Sequence, residues 1–213
     1  MMKTANLVLR CTALALVAAP VAVPMAAPAF AEPAQALVQV RTHLKSVSTM
    51  TADFEQANGK GGIVPGTLTL KRPGKIRFQY RKGYPLLIVG DGKALTMVDY
   101  EVKQVSRWPI GNSPLAVLLN PDMDLSRIAS VVQDNPQQLI IRARDPKHPE
   151  FGTITINFGK VASAPGGLML QGWTIVDAQS GRTSVRLTNQ RFNVAVADST
   201  FRWTDPRGSG PRG

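Results

Sequence analysis

The chain has 213 residues, a formal net charge of +11 and one cysteine, Cys11. One cysteine excludes a disulfide framework. The absence of eighteen consecutive apolar residues beyond residue 31 excludes a membrane-spanning helix there. The basic balance fits nucleic acid, an anionic membrane surface or an acidic partner. Lysines and arginines are spread evenly with few aromatics among them, which argues against nucleic acid.

Residues 1–31 read as a secretory signal. Lys3 and Arg10 precede an apolar run that closes on Ala29-Phe30-Ala31, a small-x-small cleavage site. Pro20, Pro24 and Pro28 interrupt the run and argue against an uncleaved anchor. Cys11 stands before the apolar run, so it is not placed as a lipoprotein cysteine. Removing Lys3 and Arg10 takes the charge from +11 to +9, since the segment holds no acid. The expected product is a soluble, exported domain over residues 32–206, followed by a disordered tail over 207–213.

After Pro33, Leu37, Val40, Leu44 and Val47 recur at steps of three and four, which predicts a helix with one apolar stripe. From Thr51 the period becomes two. Strands are expected over 51–58, 67–71, 75–82, 85–90, 94–100 and 101–108, with a glycine-rich connection over 59–66. Asp91-Gly92 marks one hairpin. Arg72-Pro73-Gly74-Lys75 has the residues of a type II turn, with proline second and glycine third. One face of that hairpin carries Leu68, Leu70, Ile76, Phe78 and Tyr80; the other carries threonines, lysines and arginine.

Asn112 or Ser113 as N-cap, Pro114 in the first turn and an apolar run to Leu119 predict a short helix that Pro121 ends. Residues 122–128 add another turn. Five more strands are expected over 128–134, 137–145, 152–159, 168–178 and 183–193. The fold class is therefore mainly β (α+β). About eleven antiparallel strands form a strongly curved sheet or incomplete barrel, with the helices as a stopper on its concave side.

Motifs for catalysis are scarce. Neither a nucleophile elbow nor a phosphate-binding glycine loop is present. His43 reads as a partly exposed helix histidine and His148 as a loop residue between prolines. These two histidines and scattered carboxylates lack metal-ligand spacing. Asp122 and Asp124 read as helix-start charges. No catalytic residue, cofactor or metal is expected.

The helix followed by "VSTMTADFEQ", then "GTLTLKRPGKIRFQY", "LIVGDGKALTMVDYE", "GNSPLAVLLN" and late "GTITINFG", resembles the periplasmic lipoprotein carrier LolA and its relatives. The resemblance spans roughly residues 34–206, and the G-x-L-x-x-K-R-P and V-x-D-G-K stretches are its most specific parts. It implies an eleven-stranded incomplete barrel, lidded by helices around a hydrophobic cavity. It also implies a monomer that takes acylated lipoproteins from an inner-membrane ABC transporter of the LolCDE type. Delivery is then to an outer-membrane receptor or to the outer-membrane surface.

By the same resemblance, Arg72 holds the lid closed in the empty form. Relatives often carry an aromatic four positions further on, where this chain has Ile76. Expected lining residues are Leu37, Val40 and Leu44 from the first helix, Leu115 and Leu118 from the second, and Phe54, Leu70, Ile76, Phe78, Leu95 and Met97 from strands. Each suits an ordinary core equally well. Met97, Met123 and Met169 suit a cavity that adapts to its contents. Two rival readings are a carrier or sensor of another lipid in the same type of cavity, and a hydrolase using His43 or His148.

Overall fold

The computed structural model describes residues 31–59 and 62–208. The expected signal segment up to residue 30 and the last five tail residues lie outside the described residues. Of the expected tail, Arg207 is described and pairs with Asp205 (2.6 Å).

Eleven strands are described: β1 Thr49–Asn58, β2 Ile63–Lys71, β3 Lys75–Tyr80, β4 Leu86–Asp91, β5 Ala94–Asp99, β6 Gln104–Pro109, β7 Ala129–Asp134, β8 Gln138–Arg144, β9 Thr153–Lys160, β10 Leu168–Val176 and β11 Arg182–Phe192. They form one sheet in the order β6-β5-β4-β3-β2-β1-β11-β10-β9-β8-β7, and every pairing is antiparallel. Two meanders are thus joined by the long β1–β11 pairing. The outer strands β6 and β7 do not pair, so the barrel stays open. The chain between them, residues 110–128, crosses from one edge to the other.

Alternation decides which face is inward. Ile76, Phe78 and Tyr80 of β3 are buried, while Lys75, Arg77 and Gln79 are not. The same period buries Ile154, Ile156 and Phe158 of β9 and Leu139, Ile141 and Ala143 of β8. These concave-side residues join one apolar core with helix α1, Ala31–Ser46, and the short α2, Ala116–Leu119. Phe54 is its aromatic centre, meeting Phe78 and Tyr80 edge-on at 5.4 and 5.2 Å between ring centroids.

The outer face of the first meander is covered as well. A second cluster joins Leu87, Val89 and Val98 to Phe201, with Val196 and Trp203 packed on it. The segment after β11 therefore runs as a strap across the back of β4 and β5. Lys71 and Lys75, which flank the β2–β3 turn, both donate to Asp198 of this strap (2.8 and 2.9 Å) and hold its carboxyl down at about 2. Arg77 donates to the carbonyls of Thr200 and Arg202.

Three local expectations are corrected. The β2–β3 hairpin pairs Lys71 with Lys75, leaving Arg72, Pro73 and Gly74 in the loop. That is a three-residue loop, not a two-residue type II turn, and the Arg72–Pro73 bond is cis. Gly74 keeps the expected positive φ (74°). The connection expected over 59–66 is shorter, because β2 begins at Ile63 and includes Pro65. Pro65 is tolerated there because its N faces the side on which β3 has ended, its carbonyl accepting from Arg81. The helix expected from residue 113 is regular only over α2. A 3-10 turn over Ile110–Asn112 precedes it, and the Ser113 hydroxyl accepts from the Leu115 N–H.

The β9–β10 ladder shifts register between Leu170 and Gly172, and Gly172 has φ 150°. A Cβ there would lie 2.1 Å from the Val185 carbonyl oxygen of β11. Gly172→Ala is expected to destabilise the fold by about 1–3 kcal/mol, the range for forcing an atom into a packed site. Chemical denaturation checks this.

Candidate functional site: an apolar concave face under a two-part lid

The concave face is continuous and apolar, and α1 and the 115–119 segment fill it. Helix α1 lays Ala36, Val40 and Leu44 into the core, with Val47 just after it, and Leu115 to Leu119 do the same from the crossing segment. Of the eleven expected lining residues, nine are buried in this one cluster: Val40, Leu44, Phe54, Leu70, Ile76, Phe78, Leu95, Leu115 and Leu118. Leu37 is half-buried at its margin. Met97 shares the inward side of β5 with Leu95 but is half-buried and stands outside the cluster. Met123 packs at the core margin. Met169 alternates with the buried Leu168 and Leu170 and so lies on the outer face, away from any interior contents.

The hollow expected inside the sheet is thus occupied by the lid's own side chains. One apolar recess of about 170 Å³ opens beside it, where Ala116, Val117 and Met123 face Ala143, Phe151 and Ile154. Sites for drug-sized ligands run from about 300 Å³ upward. A long acyl chain therefore needs the lid displaced.

Few directed bonds hold that lid. The Arg72 guanidinium bonds to both parts at once, and an exposed Lys45–Asp122 pair also joins α1 to the crossing segment. Nε donates to the Leu118 carbonyl (2.9 Å) and Nη1 to the Val47 carbonyl (2.6 Å), each near the C-terminal end of a helix. Such carbonyls have no partner within the helix and carry the negative end of its dipole. Burial lowers the Arg72 pKa to about 10, so it remains charged at neutral pH. The same loop ties down the lid by its backbone: Arg72 N–H donates to Ser48 O (2.8 Å) and Gly74 N–H to Leu119 O (3.1 Å).

At the other side, α1 leans on the 3-10 turn Pro165–Gly167. Gly166 has φ 64°, and a Cβ there would lie 2.8 Å from the His43 backbone nitrogen. Glycine permits this approach. His43 is buried at 1% exposure, not partly exposed as its helix position suggested. Its Nδ1–H donates to the Pro165 carbonyl (2.8 Å), and its ring meets Phe158 and Phe192 edge-on. Sequence reasoning missed this residue. Its position one step from Leu44 on the apolar stripe was the available signal, since the stripe is wide enough to include it. His148, in contrast, is an exposed loop residue beside Glu150 and stacked on Phe151. Asp124 accepts from Ser126 N–H, while Asp122 pairs with Lys45 of α1 (3.2 Å).

No described group of three His, Cys, Asp or Glu residues is placed to hold a metal ion. Among the described residues, no helix is long and apolar enough to cross a membrane.

Comparison with known proteins gives a consistent result. Residues 45–204 match the family described as "Outer membrane lipoprotein carrier protein LolA". An outer-membrane lipoprotein carrier protein of Chromobacterium violaceum is 32% identical over 203 residues, covering 91% of this chain and 93% of that one. Carriers of the same description from Dechloromonas aromatica and Bordetella pertussis are each 31% identical, covering 83% and 86% of this chain and 86% and 88% of theirs. In fold, the chain is similar to an uncharacterised conserved protein from Thermus thermophilus. Its TM-score is 0.50 at 9% identity, over 80% of this chain and 94% of that chain.

The buried His43 sets an acid limit on the closed lid. Burial, and after it the nearby Arg72 charge, hold its pKa below the ordinary 6.5; the hydrogen bond to Pro165 opposes them without winning. Below pH 6.5 the unfolded chain takes up a proton that the folded chain resists. Stability is therefore expected to fall as pH drops from 7 to 5. His43→Gln should flatten that slope in denaturation midpoints measured across the range.

Proposed function

This chain belongs to the LolA family of outer-membrane lipoprotein carrier proteins, and we infer that it shelters lipoprotein acyl chains against its concave sheet face once the lid swings aside. It is a carrier and not an enzyme. It works in the periplasm, accepting acylated lipoproteins from an inner-membrane ABC transporter of the LolCDE type and releasing them at the outer membrane. The observation that carries this reading is the pairing of a largely apolar inner face with a lid held by a few hydrogen bonds.

The energetics support it. A buried methylene is worth about 0.8 kcal/mol, so one long acyl chain carries on the order of 10 kcal/mol of hydrophobic cost in water. Removing the lid's aliphatic side chains exposes a comparable apolar surface, which the incoming chain covers again. Non-directional contacts allow that exchange without a fixed ligand shape. Ile76, standing where relatives often carry an aromatic, keeps this surface apolar without a ring.

Arg72 is the gate in this reading. It supplies the bonds that favour the empty, closed form, and a hydrogen bond to a charged group is worth about 1.5–3 kcal/mol. Losing them favours the open, loaded form, so cargo is accepted but not readily surrendered.

Mass spectrometry of the protein isolated from the periplasm is expected to reveal copurified acylated lipoprotein; free lipid alone would support the rival lipid-carrier reading. Arg72→Leu is expected to accept lipoprotein as well as the parent does, yet deliver it to outer membranes roughly tenfold less. Undiminished delivery by that variant counts against the gate.

A further inference from the structure

We propose that the rim formed by the β3–β4 and β5–β6 loops docks the protein directly on an anionic lipid bilayer. The two loops, residues 81–85 and 100–103, lie side by side: Tyr100 N–H donates to the Pro85 carbonyl (2.8 Å), and Leu86 pairs with Asp99. The next strand connects to the same rim, because Arg81 N–H donates to Pro65 O (3.0 Å).

Eight large hydrophobic side chains are exposed among the described residues, and this end carries four: Ile63 (62%), Tyr84 (38%), Tyr100 (37%) and Val102 (65%). Both exposed aromatics are here. The remaining four are valines on other elements. The loop conformation is built and not frayed. Asp99 Oδ1 accepts the N–H groups of Glu101 and Val102, turning Val102 outward at the tip. Tyr84 rests against Tyr80, with 5.3 Å between ring centroids.

Arg81, Lys82 and Lys103 surround these apolar tips. They are exposed, and none is ion-paired among the described residues. Against them stand two acids, Glu101 in the loop and the half-buried Asp99 at its base, whose Oδ1 is engaged by the loop's own N–H groups. Tyrosine beside apolar tips and a basic ring is the composition that suits a headgroup layer. The tyrosine ring sits at the interface, and the cations meet anionic lipid. A stable protein interface needs about 800 Å² from each partner. Two loops of five and four residues are small for that, whereas a bilayer needs only shallow insertion and charge.

This deepens the carrier reading and rests on it for its purpose, which is to bring the carrier to the membrane that receives the cargo. The chemistry is testable without cargo. The purified protein is sedimented with vesicles of phosphatidylethanolamine and phosphatidylglycerol, and with vesicles of phosphatidylcholine alone. Binding to the anionic vesicles is expected to be at least tenfold stronger. Each basic residue near such a surface is worth roughly a fivefold change in partition. Lys82→Glu with Lys103→Glu should therefore weaken binding more than tenfold, and Tyr84→Ser with Val102→Ser should weaken it at unchanged charge.

Arg142→Glu with Arg144→Glu, on the exposed outer face of β8, is the control and should leave binding intact. The proposal is overturned if the parent protein ignores pure lipid, if both rim variants bind normally, or if the β8 variant loses as much as they do. Binding only to outer-membrane vesicles, abolished by protease treatment of those vesicles, would overturn it in favour of a protein receptor. In every such case lipoprotein copurification can still succeed, so the carrier reading stands or falls separately.

Discussion

An antiparallel sheet that does not close must find another cover for its apolar side. β6 and β7 stay apart here, and eleven strands of alternating side chains leave a concave face that water cannot be allowed to wet. The chain supplies the cover itself. One piece precedes the first strand, and the other is the segment that must in any case travel from β6 to β7. Both present short aliphatic rows, so the contact between sheet and lid is broad, greasy and without directional bonds. An acyl chain offers the same kind of contact, which is the ground for proposing that cargo takes the lid's place.

Directionality is confined to a few places. The loop carrying Arg72 is anchored from behind, where Lys71 and Lys75 grip Asp198 of the strap. From this fixed point the Arg72 side chain reaches inward to helix-end carbonyls on both parts of the lid. A guanidinium suits such a site. It stays charged, and its several donors satisfy two carbonyls that would otherwise be buried alone. In the proposed gate, water replaces those bonds when it lets go, so the closed state is favoured without being locked. The His43–Pro165 bond plays the corresponding part on the other side of the last turn of α1, between a neutral ring and a carbonyl.

Much of this is legible as periodicity. The change from steps of three and four to steps of two locates α1 and the strands, and punctuation by glycine, proline and asparagine places nearly all the breaks. The misses share a cause, which is contact between distant segments. His43 reads as exposed when polarity is put ahead of its place on the stripe; two phenylalanines from distant strands make that place dry. The strap over β4 and β5 is not predicted, although "LLIV" has no polar alternation and signals burial on both faces. Met169 has the chemistry of an adaptable lining residue, but its strand partners turn it to the outer face.

Local chemistry in the chain was enough to determine the class of fold, the antiparallel connections, the one-sided face of the first hairpins and the residues able to make a greasy interior. It was enough because side-chain alternation and turn residues act between near neighbours. Only the tertiary structure decided that the interior is filled by the chain's own helices. The same is true of the strap fixing the Arg72 loop and of a histidine sitting dry beneath the lid. Those outcomes depend on which distant segments meet, and the pairing of β1 with β11, which brings the two ends of the sheet-forming chain together, is written in no single stretch of sequence.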